Sequence, residues 1–161
     1  MTQEYFRVAL SSEISLAIPL DNMGKVVQLE TQDICTIPGV ADFWYGIVNL
    51  KGSLVWVLDS DRFFSLNLTR PNFKRQKLTA VVVKPSFQDN SRNCALVTPK
   101  LEGIIALESH QLEPIAQELH QVWHQSCDAV VQQATKSIYI LNSANLLKQL
   151  HQKSTLVTAA N

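Results

Sequence analysis

The sequence predicts an all-β fold built from many short strands, and three observations support that class. Short apolar runs recur along the chain, and Pro, Gly, Asn and Ser residues, which favour turns, separate them. Apolar residues at helical spacing are scarce before residue 114. Helices therefore do not alternate with the strands as they do in a parallel βαβ sheet, and small barrels or a sandwich are favoured.

The predicted strands are spread over most of the chain. Residues 46–64 contain two strands around a Lys-Gly break, and the segment 25–30 is either a short strand or a single helical turn. The remaining predicted strands are residues 5–10, 14–20, 78–83, 94–97, 101–107, 129–131 and 138–141.

Two helices are predicted, both late in the chain. Ile115, Leu119 and Val122 recur at helical spacing directly after a proline, a residue that is favoured at helix starts. A short terminal helix is expected over residues 143–149, with Ser143 as its N-cap.

The composition predicts a cytoplasmic protein that binds no nucleic acid. A hydrophobic fraction of 46% is ample for a packed interior, whereas no run approaches the roughly 18 apolar residues of a membrane span. The N-terminus lacks the basic and apolar regions of a signal peptide, and no membrane insertion is expected. Lys plus Arg and Asp plus Glu both total 14. The one basic cluster, Arg70, Lys74, Arg75 and Lys77, is interpreted as a solvated loop.

The cysteines and histidines suggest no cofactor, although one metal hypothesis stays open. Cys35, Cys94 and Cys127 are odd in number and widely separated, so neither a disulfide framework nor a zinc ribbon is predicted. His120 and His124 are four residues apart on the predicted helix, and Cys127 follows three residues later. Because no fourth ligand is evident, we expect surface histidines and no metal. A metal-binding protein using His120 and His124 is the alternative.

An internal repeat relates residues 46–64 to residues 129–147. A gapless shift of 130 − 47 = 83 residues aligns two apolar strands, a polar cap and a trailing apolar pair in both copies. Asp59 of the first copy aligns with Asn142 of the second, which can cap a helix but cannot act as a general base. The repeat predicts two small lobes that bury one face against each other.

No catalytic motif is present in the sequence. Asp59 and Asp61 are the nearest approach to an acid–base pair, but a strand-end Asp more often caps the following turn. The phosphate loop, the nucleophile elbow and the dinucleotide-binding glycine motif are all missing. The protein is therefore not expected to be an enzyme.

The segment IPGVADFWYGIVNLKGSLVWVLDSDRFF, residues 37–64, resembles the hallmark of the CheW-like adaptor family of bacterial chemotaxis. That hallmark combines Ile-Pro, an aromatic residue, Gly, an Asn-Leu-Arg-Gly element, an apolar strand and Asp. The matching residues here are Ile37, Pro38, Phe43, Gly46, Asn49, Leu50, Gly52 and Asp59. Lys51 stands where the family has Arg, and it keeps the charge but not the planar fork. The resemblance covers about residues 5–150.

The resemblance implies a fold and a function. The fold would be two intertwined five-stranded SH3-like β-barrels with a short C-terminal helix, in a single domain over residues 5–150 followed by a loose tail at 151–161. The function would be that of a non-catalytic adaptor. It would couple the cytoplasmic tip of a methyl-accepting-type receptor to the regulatory domain of a CheA-type histidine kinase, in chemotaxis, phototaxis or type IV pilus-based motility. A general protein-interaction β-barrel module is a further alternative.

Three groups of site residues follow from the resemblance. The receptor groove between the lobes would be formed by Val26, Leu29, Gly46, Lys51 and Gly52. The kinase-facing surface would contain Ile104, Ile105 and Leu112, because homologous barrels can continue each other's exposed edges. Trp44, in an apparent connecting segment, is a possible exposed anchor, whereas Trp56 is expected in the core. A purely structural reading of Lys51, as a turn residue, stays open.

Overall fold

The computed structural model describes residues 1–66, 77–84 and 93–150. Within these ranges the strands are β1 (Thr2–Ala9), β2 (Ile14–Pro19), β3 (Met23–Glu30), β4 (Trp44–Leu50), β5 (Ser53–Asp59), β6 (Lys77–Val83), β7 (Cys94–Val97), β8 (Lys100–Glu108), β9 (Cys127–Gln133) and β10 (Lys136–Leu141). The α-helices are α1 (Ser60–Phe63), α2 (Gln121–Ser126) and α3 (residues 143–150). The segment 25–30, which the sequence left undecided, is part of strand β3.

The strands form two five-stranded sheets with equivalent orders. Lobe 1 has the order β3-β6-β7-β5-β4, and lobe 2 has the order β8-β1-β2-β10-β9. Each contains one parallel pair, β5 with β7 and β10 with β2, and its other pairs are antiparallel. The N-terminal hairpin β1–β2 belongs to lobe 2 with the C-terminal strands, so the lobes are intertwined. The predicted all-β fold with two SH3-like barrels is confirmed.

Each sheet curls towards a barrel through a pair of backbone hydrogen bonds beyond its strands. In lobe 1 the segment after β3 reaches β4, where Cys35 and Ile47 exchange N–H···O bonds of 2.8 and 2.9 Å. In lobe 2 the segment after β8 reaches β9, where Glu113 and Val130 exchange bonds of 2.8 and 2.9 Å. Both lobes therefore close in the same way.

The hairpin that the sequence repeat covers has the same irregularity in both lobes. In the β4–β5 pair Tyr45 is an extra residue between two paired positions, and in the β9–β10 pair Asp128 is the extra residue. These bulges are 128 − 45 = 83 residues apart, the shift found in the sequence. The backbone geometry thus supports the alignment of 46–64 with 129–147; the single domain over 5–150 and the origin of the repeat by duplication remain predictions.

The core has three parts because strand side chains alternate between two faces. Along β5, Val55 and Val57 point into lobe 1, whereas Leu58 belongs to a larger cluster shared by both lobes. Along β10, Ile138 points into lobe 2 and Leu141 belongs to the shared cluster. Within the apolar run at residues 54–58, both faces of β5 are covered only towards its end, at Val57 and Leu58, whereas Leu54 at its start is exposed.

The first predicted helix is only partly present. Residues 114–120 are irregular, and α2 begins at Gln121. The chain enters this segment from the paired residue Glu113, and His120 has the extended φ/ψ of −53° and 145°. Ile115 and Leu119 instead pack, half-buried, against the shared core. Their helical spacing reflects contact with the core and not a helix.

The terminal helix is present, but its predicted cap was wrong. Asn142 is the residue whose side-chain Oδ1 accepts a hydrogen bond, 3.0 Å long, from the backbone N–H of Asn145. The Ser143 hydroxyl is buried and has no hydrogen-bond partner among the described residues. At the equivalent place in lobe 1, Asp59 caps α1 by accepting from the N–H groups of Asp61 and Arg62. Asp59 thus has a structural role at the end of its strand.

Some predictions fall outside the described residues. The tail 151–161 does so, as do Arg70, Lys74 and Arg75 of the basic cluster. Across the described ranges, no helix is long and apolar enough to cross a membrane.

Candidate functional site

The β4–β5 hairpin, which carries the family-like motif, ends in a two-residue turn. Lys51 and Gly52 have φ values of 50° and 87°, and positive φ at both central residues is what a type I′ turn requires. The side chain of Asn49 accepts a 2.8 Å hydrogen bond from the N–H of Gly52. Lys51 and Gly52 are both exposed. The turn explains Gly52 and Asn49, and it leaves the charge of Lys51 in solvent at the hairpin tip.

Gly46 has a role different from the predicted one. It is buried on β4 with a φ of +143°, and a Cβ atom built there would collide with the carbonyl oxygen of Cys35. The close backbone approach that requires glycine therefore comes from the chain's own barrel-closing segment. The expectation that Gly46 admits the backbone of a partner is wrong.

Leu29 is also misplaced in the predicted groove. Its side chain is 3% exposed and packs inside lobe 1, so it offers no surface to a partner. Val26, three residues earlier, is 41% exposed. Residues three apart on a strand point to opposite faces, so the two cannot line one surface. Of the predicted groove, Val26, Lys51 and Gly52 lie at the surface.

Trp44 is a half-buried strand residue and not a projecting anchor. Its ring centroid lies 5.0 Å from that of Trp56 and 5.3 Å from that of Phe43. Trp56, expected in the core, is likewise only half-buried. The pairing of β4 with β5 explains this arrangement, since Trp44 lies opposite Leu58, next to Trp56 on one face.

A larger apolar surface surrounds these rings. Ile47 is directly opposite Trp56 and is half-buried, and Leu54, two residues before Trp56, is 72% exposed. We call Ile47, Leu54 and Trp56, with Trp44 packed beside them, the hairpin face. The sequence analysis did not identify the hairpin face, because Leu54 is the first residue of an apolar run that predicts a buried strand.

The predicted kinase-facing residues have unequal exposure. Ile104 on β8 is 63% exposed, whereas Ile105 and Leu112 are half-buried and pack against the interior of lobe 2. Strand β8 is an end strand of its sheet, as β3 is in lobe 1. Ile104 lies opposite Phe6, and Val26 lies opposite Val81. Exposed apolar residues thus mark the end strands of both lobes.

A polar cluster fixes the backbone next to Ile104. Glu102 is the extra residue of a bulge where β8 pairs with β1. Its Oε1 accepts hydrogen bonds from Arg7 Nε at 3.2 Å and from Ser15 Oγ at 2.7 Å. The Arg7 and Glu102 side chains are only 15% exposed. The cluster holds three neighbouring strands together at the exposed edge.

The histidine and cysteine residues of the metal hypothesis do not form a site. His120 and His124 are exposed, whereas Cys127 is buried in the shared core. Burial raises the pKa of the Cys127 thiol far above its usual range, which keeps it protonated and unsuited to bind a metal. Over the ranges 1–66, 77–84 and 93–150, no three His, Cys, Asp or Glu side chains lie close enough to hold a metal ion.

Two curled sheets with a common core and exposed apolar residues on their end strands form a fold suited to protein–protein contacts. The model of the CheW-like domain family matches residues 4–151, and the chain belongs to this family. Its class is accordingly that of scaffold and adaptor domains in chemotaxis-type signal transduction, which are not enzymes.

A solved structure has the same fold. The chain is similar to the scaffolding protein TtCheW from Thermoanaerobacter tengcongensis, with a TM-score of 0.69 and 17% sequence identity. The alignment covers 88% of this chain and 90% of that chain. No curated protein sequence matches the chain significantly.

Proposed function

We propose that this protein is a cytoplasmic adaptor that joins the tip of a methyl-accepting-type receptor to the regulatory domain of a CheA-type histidine kinase. The observation that carries the proposal is the family match over residues 4–151, on a two-lobed fold whose end strands expose apolar side chains. The cellular context would be chemotaxis, phototaxis or pilus-based motility. Neighbouring receptor and kinase genes would support it.

The kinase would bind at the β8 edge of lobe 2. A strand at the end of a sheet has unpaired backbone groups, to which a homologous barrel can add its own strand. Ile104 provides an exposed apolar side chain there, and the cluster around Glu102 keeps the strand in one shape. Ile105 and Leu112 would support this surface from beneath.

The receptor would contact lobe 1 near Val26 and the hairpin tip at Lys51 and Gly52. Val26 would supply an apolar contact, and Lys51 a positive charge at the rim of the contact. This is a reduced version of the groove that the sequence predicted, because Leu29 and Gly46 serve the interior of lobe 1.

The kinase contact is tested by calorimetric titration of the full chain with the isolated kinase regulatory domain. Ile104→Asp should weaken binding at least tenfold, because it places a charge in the centre of an apolar contact. Leu54→Asp is the matched control, since Leu54 is a similarly exposed apolar residue in lobe 1. Unchanged affinity for Ile104→Asp would reject the β8 surface, and absence of binding by the wild type would reject the adaptor function with this kinase.

A further inference from the structure

The two lobes differ in the connection that leads into their matching hairpins. In lobe 1 the chain runs from Cys35 to Trp44, a step of 44 − 35 = 9 residues. In lobe 2 the equivalent step from Glu113 to Cys127 is 127 − 113 = 14 residues. The longer connection contains helix α2, whereas residues 36–43 contain only turns. The lobe 2 connection therefore contains a helix, and the described lobe 1 connection at 36–43 does not.

Helix α2 packs against the face of the lobe 2 hairpin that points away from the lobe 2 interior and towards the shared core. Trp123 on this helix is 4% exposed, and its ring centroid lies 4.4 Å from that of Tyr139 on β10. Tyr139 and its cross-strand neighbour Val130 are both buried. Ser137, the position nearest the turn on this face, is polar.

The same positions in lobe 1 form the hairpin face. With the shift of 83 residues, Ile47 replaces Val130, Trp56 replaces Tyr139, and Leu54 replaces Ser137. Ile47 and Trp56 are only half-buried. Lobe 1, in which no helix among the described residues covers this face, also has a highly exposed Leu where lobe 2 has Ser. This combination indicates an apolar surface that no described helix of the chain covers.

We propose that the hairpin face binds a short amphipathic helix of a partner protein, which presents a large apolar side chain in the place that Trp123 takes in lobe 2. The chain's own packing supplies the template, because α2 already covers an equivalent strand pair. The inference does not depend on the receptor and kinase contacts proposed above.

A second copy of the chain is a poorer occupant. Among the described helices, α2 and α3 have their large apolar side chains, Val122, Trp123, Leu146, Leu147 and Leu150, buried in the shared core. A second copy would have to expose that core in order to present an apolar helix. A partner with a free amphipathic helix has no such cost.

The probe is a fluorescein-labelled peptide of residues 115–126 with the substitutions Gln121→Glu and Gln125→Lys, whose side chains are joined as a lactam to hold the helix. Both positions are exposed in lobe 2. Fluorescence anisotropy should rise saturably when the full chain is added. A control peptide with Val122→Ser and Trp123→Ser should not bind, because it keeps the helix and loses the apolar face.

Variants of the full chain locate the binding site. Leu54→Ser should weaken peptide binding about tenfold or more, since a largely exposed Leu becomes buried on binding. Ile104→Ser, which removes a similarly exposed apolar side chain from lobe 2, should leave the peptide affinity unchanged. Both side chains are exposed, and both variants are expected to fold.

Three outcomes would overturn the proposal. The first is that the peptide shows no saturable binding to the wild-type chain. The second is that it binds Leu54→Ser and the wild type with equal affinity, and the third is that the control peptide binds as tightly as the probe. Sedimentation of the chain alone provides a fourth criterion. A dimer that Leu54→Ser dissociates would assign the hairpin face to a second copy instead of a partner helix.

Discussion

Single residues at the β4–β5 hairpin combine a structural constraint with a free side chain. Lys51 has a φ of 50°, a conformation that costs an L-residue about 1–2 kcal/mol relative to glycine. The hydrogen bond from Gly52 N–H to Asn49 helps to hold the turn. The backbone of Lys51 therefore serves the turn, and its charge remains for a partner.

Lys51→Glu should weaken receptor binding about fivefold and leave stability within about 0.5 kcal/mol, because a surface charge contributes little to folding. The loss should shrink as salt increases, since exposed charges are screened. Titration with a receptor cytoplasmic fragment at two salt concentrations measures both effects. Lys136→Glu, at the start of β10 in lobe 2, is the matched control. Equal affinities for Lys51→Glu and the wild type would reduce Lys51 to a turn residue.

Gly46→Ala should destabilise the protein by about 3 kcal/mol or more. The cost of a positive φ for an L-residue and the cost of the collision of the new Cβ atom add together. The colliding atom is the carbonyl oxygen of Cys35, which is hydrogen-bonded to Ile47 and cannot withdraw easily. Urea denaturation gives the free energy of unfolding. Gly103→Ala is the matched control: its φ is +88° but its Cβ meets no atom within 4 Å, so it should cost only about 1–2 kcal/mol. Equal costs would contradict the collision.

The sequence predicted elements well where one physical pattern dominated. Strands β6 and β7 match apolar runs whose side chains are buried on both faces. The prediction for Leu29 failed because it depended on the strand face, which the short segment 25–30 does not reveal. The exposure of Leu54 was not predicted for a related reason. An apolar run indicates a buried strand, but it does not show at which residue the burial begins or ends. How much of β5 is covered depends on the packing of the two lobes, which the sequence pattern does not show.

The helix ends show a second limit of prediction from sequence, which is the exact residue that caps a helix. The repeat aligned Asp59 with Asn142, and both residues cap the helix that follows them. The sequence analysis nevertheless favoured Ser143 as the N-cap of α3, because Ser143 lies one residue nearer to the predicted helix. Both side chains suit an N-cap, and only the backbone register decides between them. The described hydrogen bond from Asn145 to Asn142 makes that decision.

A pair of substitutions tests this capping assignment. Asn142→Ala should destabilise the protein by about 1 kcal/mol through loss of the cap. Ser143→Ala should be neutral or stabilise by up to about 1 kcal/mol, because it removes a buried hydroxyl without a partner among the described residues. Thermal or urea unfolding of both variants provides the comparison. A larger loss for Ser143→Ala than for Asn142→Ala would restore the sequence-based assignment.

At the scale of the whole molecule, the shared core makes the two lobes depend on each other. Trp123 stacks on Phe64, the residue directly after α1 of lobe 1, with ring centroids 4.3 Å apart, and it also contacts Tyr139 of lobe 2. The clusters inside the individual lobes are smaller than the shared one. A lobe of this size would bury a smaller fraction of its surface than the whole chain does and would be only marginally stable alone.

Unfolding should therefore be a single cooperative transition in which both lobes are lost together. Trp123→Ala should lower the free energy of unfolding by about 3–5 kcal/mol, the usual cost of removing a buried tryptophan, and keep one transition. Far-UV circular dichroism reports on the strands of both lobes, and the fluorescence of the remaining Trp44 and Trp56 reports on lobe 1. The two signals should change at the same urea concentration. If the fluorescence of lobe 1 persisted beyond the loss of half the strand signal, the lobes would fold independently, and the shared core would be an interface between two domains.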